Sequence, residues 1–508
     1  MRGKKAAINS AFSLFEEVVS VICGFILPRL ILTAFGSEYN GLTTSISHFL
    51  ACAVLLRSGI GGATRAALYK PLAKHDQKEV NAIVKATDIF MKKIGLILAG
   101  MIVLFAVIYP LFVSDEFGWF FTFSLFLIIG ASTFAESFFG ITYLIVLQAD
   151  QRLWVSTLLR TICIILNTVI SAVLILNGAS IHMVKLGSAF IYVIYPIFLG
   201  MYVRKRYNID THVQPDNKAI AQRWDAFWQQ VAVFVMNNTD VVVLTIFTNM
   251  LEVSVYGVYN MVVNGLKRTV VAFSNSLEAA FGNMIAKNEQ KTLRENVSII
   301  ENIMFSISTI VYTCAAVLIL NFVSIYTNDV VDVDYIRPAF AYVVIIAQFF
   351  NGIRLTYQLV VQAAGHYKQT KKGALIEPAL NIVLSVLFVF KFGLVGVAVG
   401  TLAATVFRTI QYSTYMSKYL VKRSNMIVLA RIAISAVESA IIIVFINLLN
   451  LPVAKGYGRW AINGLITFII SVVVVVGFDF IFFRKDMIGI IGKIKNISIR
   501  RKPKAKKG

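Results

Sequence analysis

The residues of this chain with the clearest chemical potential are basic side chains that lie inside long apolar segments. An ionisable group at the centre of a membrane costs about 2.5–3.5 kcal/mol on insertion scales, so it must face a cavity or a partner. Guanidinium and ammonium groups suit phosphate, because they combine positive charge with several hydrogen-bond donors. An excess of such bases therefore predicts a site for an anionic cargo. The candidate substrate-binding residues are Arg29, Arg57, Lys267, Arg268, Arg354 and Arg408.

Lys267 and Arg268 form the pair that we favour most. Adjacent helical residues point about 100° apart, so one can face a cavity while the other pairs with an acid. A polar stripe that includes Lys267 repeats at helical spacing and occupies one face. Such a stripe can line a water-filled path or form hydrogen bonds between helices, and the charge of Lys267 in the middle of the stripe favours the first interpretation. The stripe consists of Asn260, Asn264, Lys267, Ser274 and Glu278.

Acidic residues inside apolar segments provide the competing interpretation. Each base could be held in a structural ion pair, with Glu16, Glu136 or Asp240 as the partner, and this holds above all for Arg29 and Arg160. Alternatively, Glu16 or Asp240 could couple transport to a gradient of H+ or Na+. The coupling or ion-pair candidates are Glu16, Glu136, Asp240 and Glu278. Ionisable residues near the ends of apolar runs can reach the headgroups and receive no function; they include Arg65, Glu301, Glu377 and Asp479.

The apolar segments define the class of protein. Hydrophobic residues make up 58% of the 508 residues, as expected of a polytopic membrane protein. Lys and Arg concentrate in every second loop, which places those loops and both termini in the cytoplasm. The net charge of +22 thus reflects membrane topology and does not indicate nucleic-acid binding. The fourteen predicted spans are 8–34, 41–66, 94–112, 119–147, 153–176, 181–203, 225–248, 255–283, 297–322, 338–363, 374–390, 393–416, 426–450 and 460–483.

The chain repeats itself over its first twelve spans. The motif Thr142-Tyr143-x-x-Val146-x-Gln148-Ala149 returns as Thr356-Tyr357-x-x-Val360-x-Gln362-Ala363. Six spans per copy make the copies parallel, and repeats about a central site are the usual build of a transporter. We therefore predict an all-α membrane protein with two parallel six-helix lobes and two additional helices. The predicted parts are an N-lobe at 1–203, a cytoplasmic connector at 204–224, a C-lobe at 225–416, spans 13 and 14 at 417–483, and a basic cytoplasmic tail at 484–508.

Other motifs are absent or weak. No G-x-x-x-x-G-K-[ST] occurs, so the chain itself has no ATPase motif. We expect no catalytic residue, metal site or cofactor; Asp332-x-Asp334 is interpreted as part of a solvated acidic loop, and His48 as a hydrogen-bonded packing residue. The tail should remain disordered against anionic membrane lipids.

Four motifs carry a family resemblance: Phe35-Gly36-Ser37-Glu38-Tyr39-Asn40-Gly41-Leu42, Gly59-Ile60-Gly61-Gly62, Ala67-Leu68-Tyr69-Lys70-Pro71-Leu72-Ala73, and the segment 143–152. Through them the chain resembles the polysaccharide transporters of the multidrug/oligosaccharidyl-lipid/polysaccharide (MOP) exporter superfamily, related to lipid II flippases and multidrug-and-toxin extruders. The resemblance implies that spans 1, 2, 7 and 8 line a cavity with basic side chains for a lipid pyrophosphate. Those spans contain Arg29, Arg57, Lys267 and Arg268. Where relatives often have an acid near the end of span 2, this chain has Arg57.

The leading functional hypothesis is a flippase and not an enzyme. It would move a polyprenyl-pyrophosphate-linked oligosaccharide across the cell membrane by alternating access, for cell-surface polysaccharide biosynthesis, alongside polymerase or glycosyltransferase partners. One alternative is a cation-coupled multidrug exporter, which predicts that acids dominate the site. A second is a membrane polysaccharide polymerase or acyltransferase, which would need a large outer loop or an intramembrane His with acidic neighbours.

Overall fold

A computed structural model describes residues 2–51, 60–113, 116–210, 212–216, 227–274 and 290–500. Every regular element in these ranges is helical, which confirms the predicted all-α class. The principal helices are α1 Arg2–Phe35, α2 Ser37–Leu50, α3 Ile60–Lys74, α4 Gln77–Ile108, α5 Trp119–Ala135, α6 Ile141–Ala149, α7 Leu153–Leu176, α8 Ile181–Tyr207, α9 Phe227–Phe247, α10 Met250–Ser274, α11 Gln290–Tyr326, α12 Pro338–Ala363, α13 Tyr367–Tyr415, α14 Met426–Leu448, α15 Tyr457–Phe482 and α16 Arg484–Arg500.

Ten helical segments in the described part of the chain are long and apolar enough to cross a membrane. One of them, Gln369–Leu420, includes most of α13 and covers predicted spans 11 and 12, because the chain reverses at Gly393 with φ 52° and ψ −129°. A Cβ at Gly396 would lie 2.3 Å from the carbonyl oxygen of Phe388, so glycine permits the two halves to pack closely. The multi-pass membrane fold is therefore confirmed. The total of fourteen spans stays a prediction, since 52–59 and 275–289 fall outside the described residues.

The chain divides into two compact units, 1–257 with 329–333, and 258–328 with 334–508. The first unit includes α9 and the start of α10, which the repeat had assigned to the C-lobe. Within this unit, polar side chains join them to α2: the amide of Asn40 donates to Ser254 Oγ at 2.8 Å, and the Ser45 and Thr245 hydroxyls lie 2.6 Å apart. The two units are defined by contacts within the fold, whereas the lobes are defined by the repeat in the sequence. The lobe boundaries therefore stay a prediction.

The outer acidic segment includes a helix cap that the sequence did not reveal. Helix α2 begins after Gly36, whose φ of 89° favours glycine and whose lack of a side chain leaves the helix without its own cap. Asp332 supplies one: its Oδ2 accepts from the Ser37 backbone N–H at 2.6 Å, and its Oδ1 accepts from Ser37 Oγ at 2.6 Å. Asp332 is exposed, as expected of a solvated acidic loop, and its carboxylate also caps α2.

We expect Asp332→Asn to lower the free energy of unfolding by about 1 kcal/mol, because a charged cap with two acceptor oxygens becomes neutral with one. Thermal unfolding of the purified protein would measure the change. Asp334→Asn is the matched control, since the Asp334 side chain is 67% exposed. An equal loss of stability in both variants would contradict the capping role.

The tail begins as a helix and is not disordered up to residue 500. Helix α16 is fixed at its first turn, where the Asp486 carboxylate accepts from the Arg431 guanidinium at 2.6 Å. A Cβ at Gly489 would lie 2.7 Å from Ile299 Cδ1, so α16 packs closely on α11. Basic composition predicted disorder, but the run of isoleucines and Met487 gives the segment an apolar face that can pack. Binding of anionic lipids by the tail stays a prediction, and 501–508 lie outside the described residues.

Candidate anion-binding site

The second unit brings three of the predicted basic residues together. Helix α10 carries Lys267, α12 carries Arg354, and the second half of α13 carries Arg408, while Glu377 lies on its first half. Glu377 bridges the two guanidinium groups: Arg354 Nη1 is 2.5 Å from Oε1, and Arg408 Nε is 3.4 Å from Oε2. Lys267 lies within electrostatic reach of Arg354 and Glu377. We call these four residues the basic cluster; its formal charge is three positive against one negative.

Arg408 has a structural position within the basic cluster. Its Nη1 donates to the Thr370 carbonyl oxygen at 3.1 Å and to Gln411, and its Nη2 donates to the Tyr412 hydroxyl at 2.7 Å. Its guanidinium also stacks 4.1 Å from the centroid of the Tyr412 ring, and the residue is buried. With four of its five N–H groups directed at these partners, Arg408 has little left to offer a cargo and instead orients Glu377.

Arg354 and Lys267 retain donors. Arg354 uses Nη1 for Glu377 and Nη2 for Asn351 Oδ1 at 2.7 Å, while its buried Nε has no hydrogen-bond partner. The half-buried Lys267 ammonium has neither a hydrogen bond nor an ion pair with the described residues. A buried cation without an acceptor is costly, and an anionic ligand would remove that cost. The geometry therefore suits binding of a phosphate-like group at Lys267 and Arg354.

The other predicted site residues lie elsewhere. Arg268 is exposed on α10, one position from Lys267. In the first unit, Arg29 pairs with Asp329 at 3.3 Å. That contact is a partly exposed ion pair, as the structural interpretation of Arg29 allowed, but with an acid of the outer segment instead of the three predicted partners. Arg57 and Glu278 lie outside the described residues.

The predicted coupling acids have varied surroundings in the first unit. Glu16 lies 3.4 Å from Arg160, which confirms the ion pair expected for that arginine. The buried Asp240 accepts a hydrogen bond from the Tyr256 hydroxyl at 3.3 Å. Glu136 begins a π-helical turn, Glu136–Gly140, between α5 and α6. His48 lies 2.9 Å from Asn238 Oδ1, in agreement with its predicted packing role.

Sequence reasoning missed Glu377 and therefore the cluster. It predicted Glu16, Glu136 or Asp240 as partners of the cavity bases, but the acid that joins Arg354 and Arg408 is Glu377. Glu377 had been placed at the end of an apolar run, where it could reach the headgroups. Helix α13 in fact begins at Tyr367, so Glu377 lies almost three turns inside it. Matching the depths of Arg354 and Glu377 across the short connection between α12 and α13 could have identified the pair.

Comparison with solved structures identifies the fold. The lipid II flippase MurJ, in an inward closed conformation, matches 95% of this chain and 100% of its own, with TM-score 0.71 and 16% identity. An inward-facing MATE multidrug resistance transporter of the MOP superfamily matches 77% of this chain and 92% of its own, with TM-score 0.62 and 11% identity. The MATE multidrug transporter DinF-BH matches 81% of this chain and 95% of its own, with TM-score 0.56 and 16% identity.

The class of protein follows from these likenesses. This chain is a multi-pass helical membrane protein that shares its fold with the lipid II flippase MurJ and with MATE transporters, which confirms the expected all-α membrane class. Identities of 11% and 16% show the fold and not the cargo. No protein-family model matches the chain, and no curated protein does.

Proposed function

We propose that this protein is a flippase that moves a polyprenyl-pyrophosphate-linked oligosaccharide across the cytoplasmic membrane by alternating access. The single observation that carries the proposal is the excess of positive charge in the basic cluster, where Lys267 and Arg354 have donors unused by the described residues. Pyrophosphate offers several charged acceptors for such donors, while the polyprenyl chain can stay in lipid. The similarity of fold to a lipid flippase supports the same assignment.

A cation-coupled multidrug exporter is the second candidate, because MATE transporters share the fold. A cationic drug would meet like charge at the basic cluster, so that site favours the anionic cargo. We further propose that the protein serves cell-surface polysaccharide assembly and that both of its termini lie in the cytoplasm. A gradient of H+ or Na+, or consumption of the product outside the cell, would supply the energy for translocation. Polymerase or glycosyltransferase partners would then act before and after translocation.

A leaflet-resolved translocation assay in proteoliposomes distinguishes the two candidates. The full-length protein should move a polyprenyl-pyrophosphate oligosaccharide between leaflets at a rate well above that of protein-free vesicles, and should not move a cationic dye. Imposed gradients of H+ and Na+ would be tested in parallel. Movement of the dye without movement of the lipid-linked sugar would support the drug exporter instead.

A further inference from the structure

The helices beyond the repeat, α14 and α15, meet α11 along a buried polar face. On α15 the buried residues recur every four positions, which is the spacing of one helical face. On α14 the buried positions Arg431, Ser435 and Glu438 form a similar face. Both helices contact α11, so these side chains lie at a three-helix junction. The α15 series is Asn463, Thr467, Ser471, Val475 and Asp479.

Two carboxyl groups in this junction face each other. Arg431 of α14 binds Asp486 of α16 at 2.6 Å. Glu438 lies seven residues beyond Arg431, and Asp479 lies seven residues before Asp486. Because Ile442 of α14 and Val475 of α15, each four residues from one of these acids, pack in one buried hydrophobic cluster, Glu438 and Asp479 lie at similar levels of the two helices. Glu438 and Asp479 are accordingly within electrostatic reach of each other.

The cations around the junction are committed to other acids. Arg423, in the segment before α14, binds Glu301 of α11 at 2.7 Å, and Arg431 binds Asp486 and lies 3.4 Å from Glu301. The two arginines thus pair with Glu301 and Asp486, and neither has an ion pair with Glu438. Cys314 of α11 is a further titratable group at the junction, and its sulfur lies 3.5 Å from Ser471 Oγ.

The two facing acids differ in what solvates them. Asp479 accepts a hydrogen bond from Ser306 Oγ of α11 at 2.7 Å, a contact that favours its ionised form. Glu438 is 3% exposed and has neither a hydrogen bond nor an ion pair with the described residues. An ionised carboxylate in that position would be buried, unpaired and beside a like charge, and would gain by taking a proton.

We propose that Glu438 and Asp479 form a proton-binding site in the two helices beyond the repeat. Glu438 holds the proton, and the ionised Asp479 carboxylate raises its affinity by electrostatic attraction. Hydroxyl groups continue the polar face beyond the pair, with Thr313 and Ser439 oxygens 2.8 Å apart. This inference concerns residues outside the basic cluster and does not depend on which cargo the protein carries.

Infrared spectroscopy of the full-length protein in nanodiscs tests the site without a transport assay. The wild-type protein should show the C=O band of a protonated carboxyl group over a range of pH. Glu438→Gln should remove that band. Asp479→Asn should lower the proton affinity of Glu438 by about tenfold and move the midpoint of the band to lower pH, because a neighbouring negative charge is lost. Asp334→Asn, in the outer segment, should change neither band nor midpoint.

Three outcomes would overturn the site. The first is an unchanged carboxyl band in Glu438→Gln, and the second is an unchanged or higher midpoint in Asp479→Asn. The third is loss of folded protein in Glu438→Gln: glutamine mimics a protonated glutamate in shape and charge, so that loss would mean that the ionised form is required. Glu438→Asp should keep a protonated band with a shifted midpoint, which separates a proton site from a merely structural carboxyl group.

Discussion

Alanine at both Lys267 and Arg268 is expected to reduce translocation of a lipid-linked anionic cargo by about 100-fold or more. A charge-assisted hydrogen bond contributes about 1.5–3 kcal/mol, and the Lys267 ammonium can donate two of them to a pyrophosphate, so their loss corresponds to at least this factor. Lys267→Ala should account for most of the effect, because its ammonium has no hydrogen bond or ion pair among the described residues and is within electrostatic reach of Arg354. The exposed Arg268 should contribute less.

The rate would be measured in proteoliposomes with equal amounts of folded protein. Lys391→Ala with Arg459→Ala is the matched control, since it also removes two positive charges from the second unit, both from exposed positions. Lys267→Arg keeps the charge and should retain most of the rate. Full activity in the Lys267/Arg268 double variant would remove both residues from the binding site, and an equal loss in the control would show a general effect of net charge.

Much of the fold was predictable because membrane-spanning helices require long apolar runs, which are easily recognised in a sequence. Apolar runs predicted the spanning helices, and the boundary between spans 11 and 12 was set at 390–393, where Gly393 reverses α13. Hydropathy alone cannot report how far a helix continues past its apolar run, however. The start of α13 at Tyr367 changed Glu377 from an end residue to the bridge of the basic cluster.

Charges near helix ends were the main error of sequence reasoning. Long side chains at such positions can reach the headgroups, and a sequence gives no means of seeing that a neighbouring helix has an opposite charge at equal depth. Glu301 is 0% exposed and binds Arg423, and Asp479 lies buried beside Ser306. Arg65 donates to Gln148 Oε1 at 3.1 Å. Each of these partners is distant in the chain, so only the packing of helices reveals it.

Arg431→Met is expected to lower the free energy of unfolding by about 3–5 kcal/mol, because it leaves buried carboxylates without their cation. Arg431 is 2% exposed and joins three helices: its Nη1 donates to Asn302 of α11 and its Nη2 to Asp486 of α16, both at 2.6 Å. Its guanidinium also lies 4.1 Å from the centroid of the Phe483 ring. Thermal unfolding in detergent, followed by loss of monodisperse protein, would measure the effect.

A matched comparison separates loss of charge from loss of volume. Adding Asp486→Asn to Arg431→Met should recover part of the stability, because the cost arises from uncompensated charges more than from missing contacts, and Glu301 keeps its ion pair with Arg423. Arg459→Met, at an exposed position, should be nearly neutral. If the double variant were less stable than Arg431→Met alone, packing and hydrogen bonding would outweigh electrostatics at this junction. Recovery would instead mean that the buried charges position α14 and α16 on α11 at a cost in stability, as expected of charges that specify an arrangement of helices.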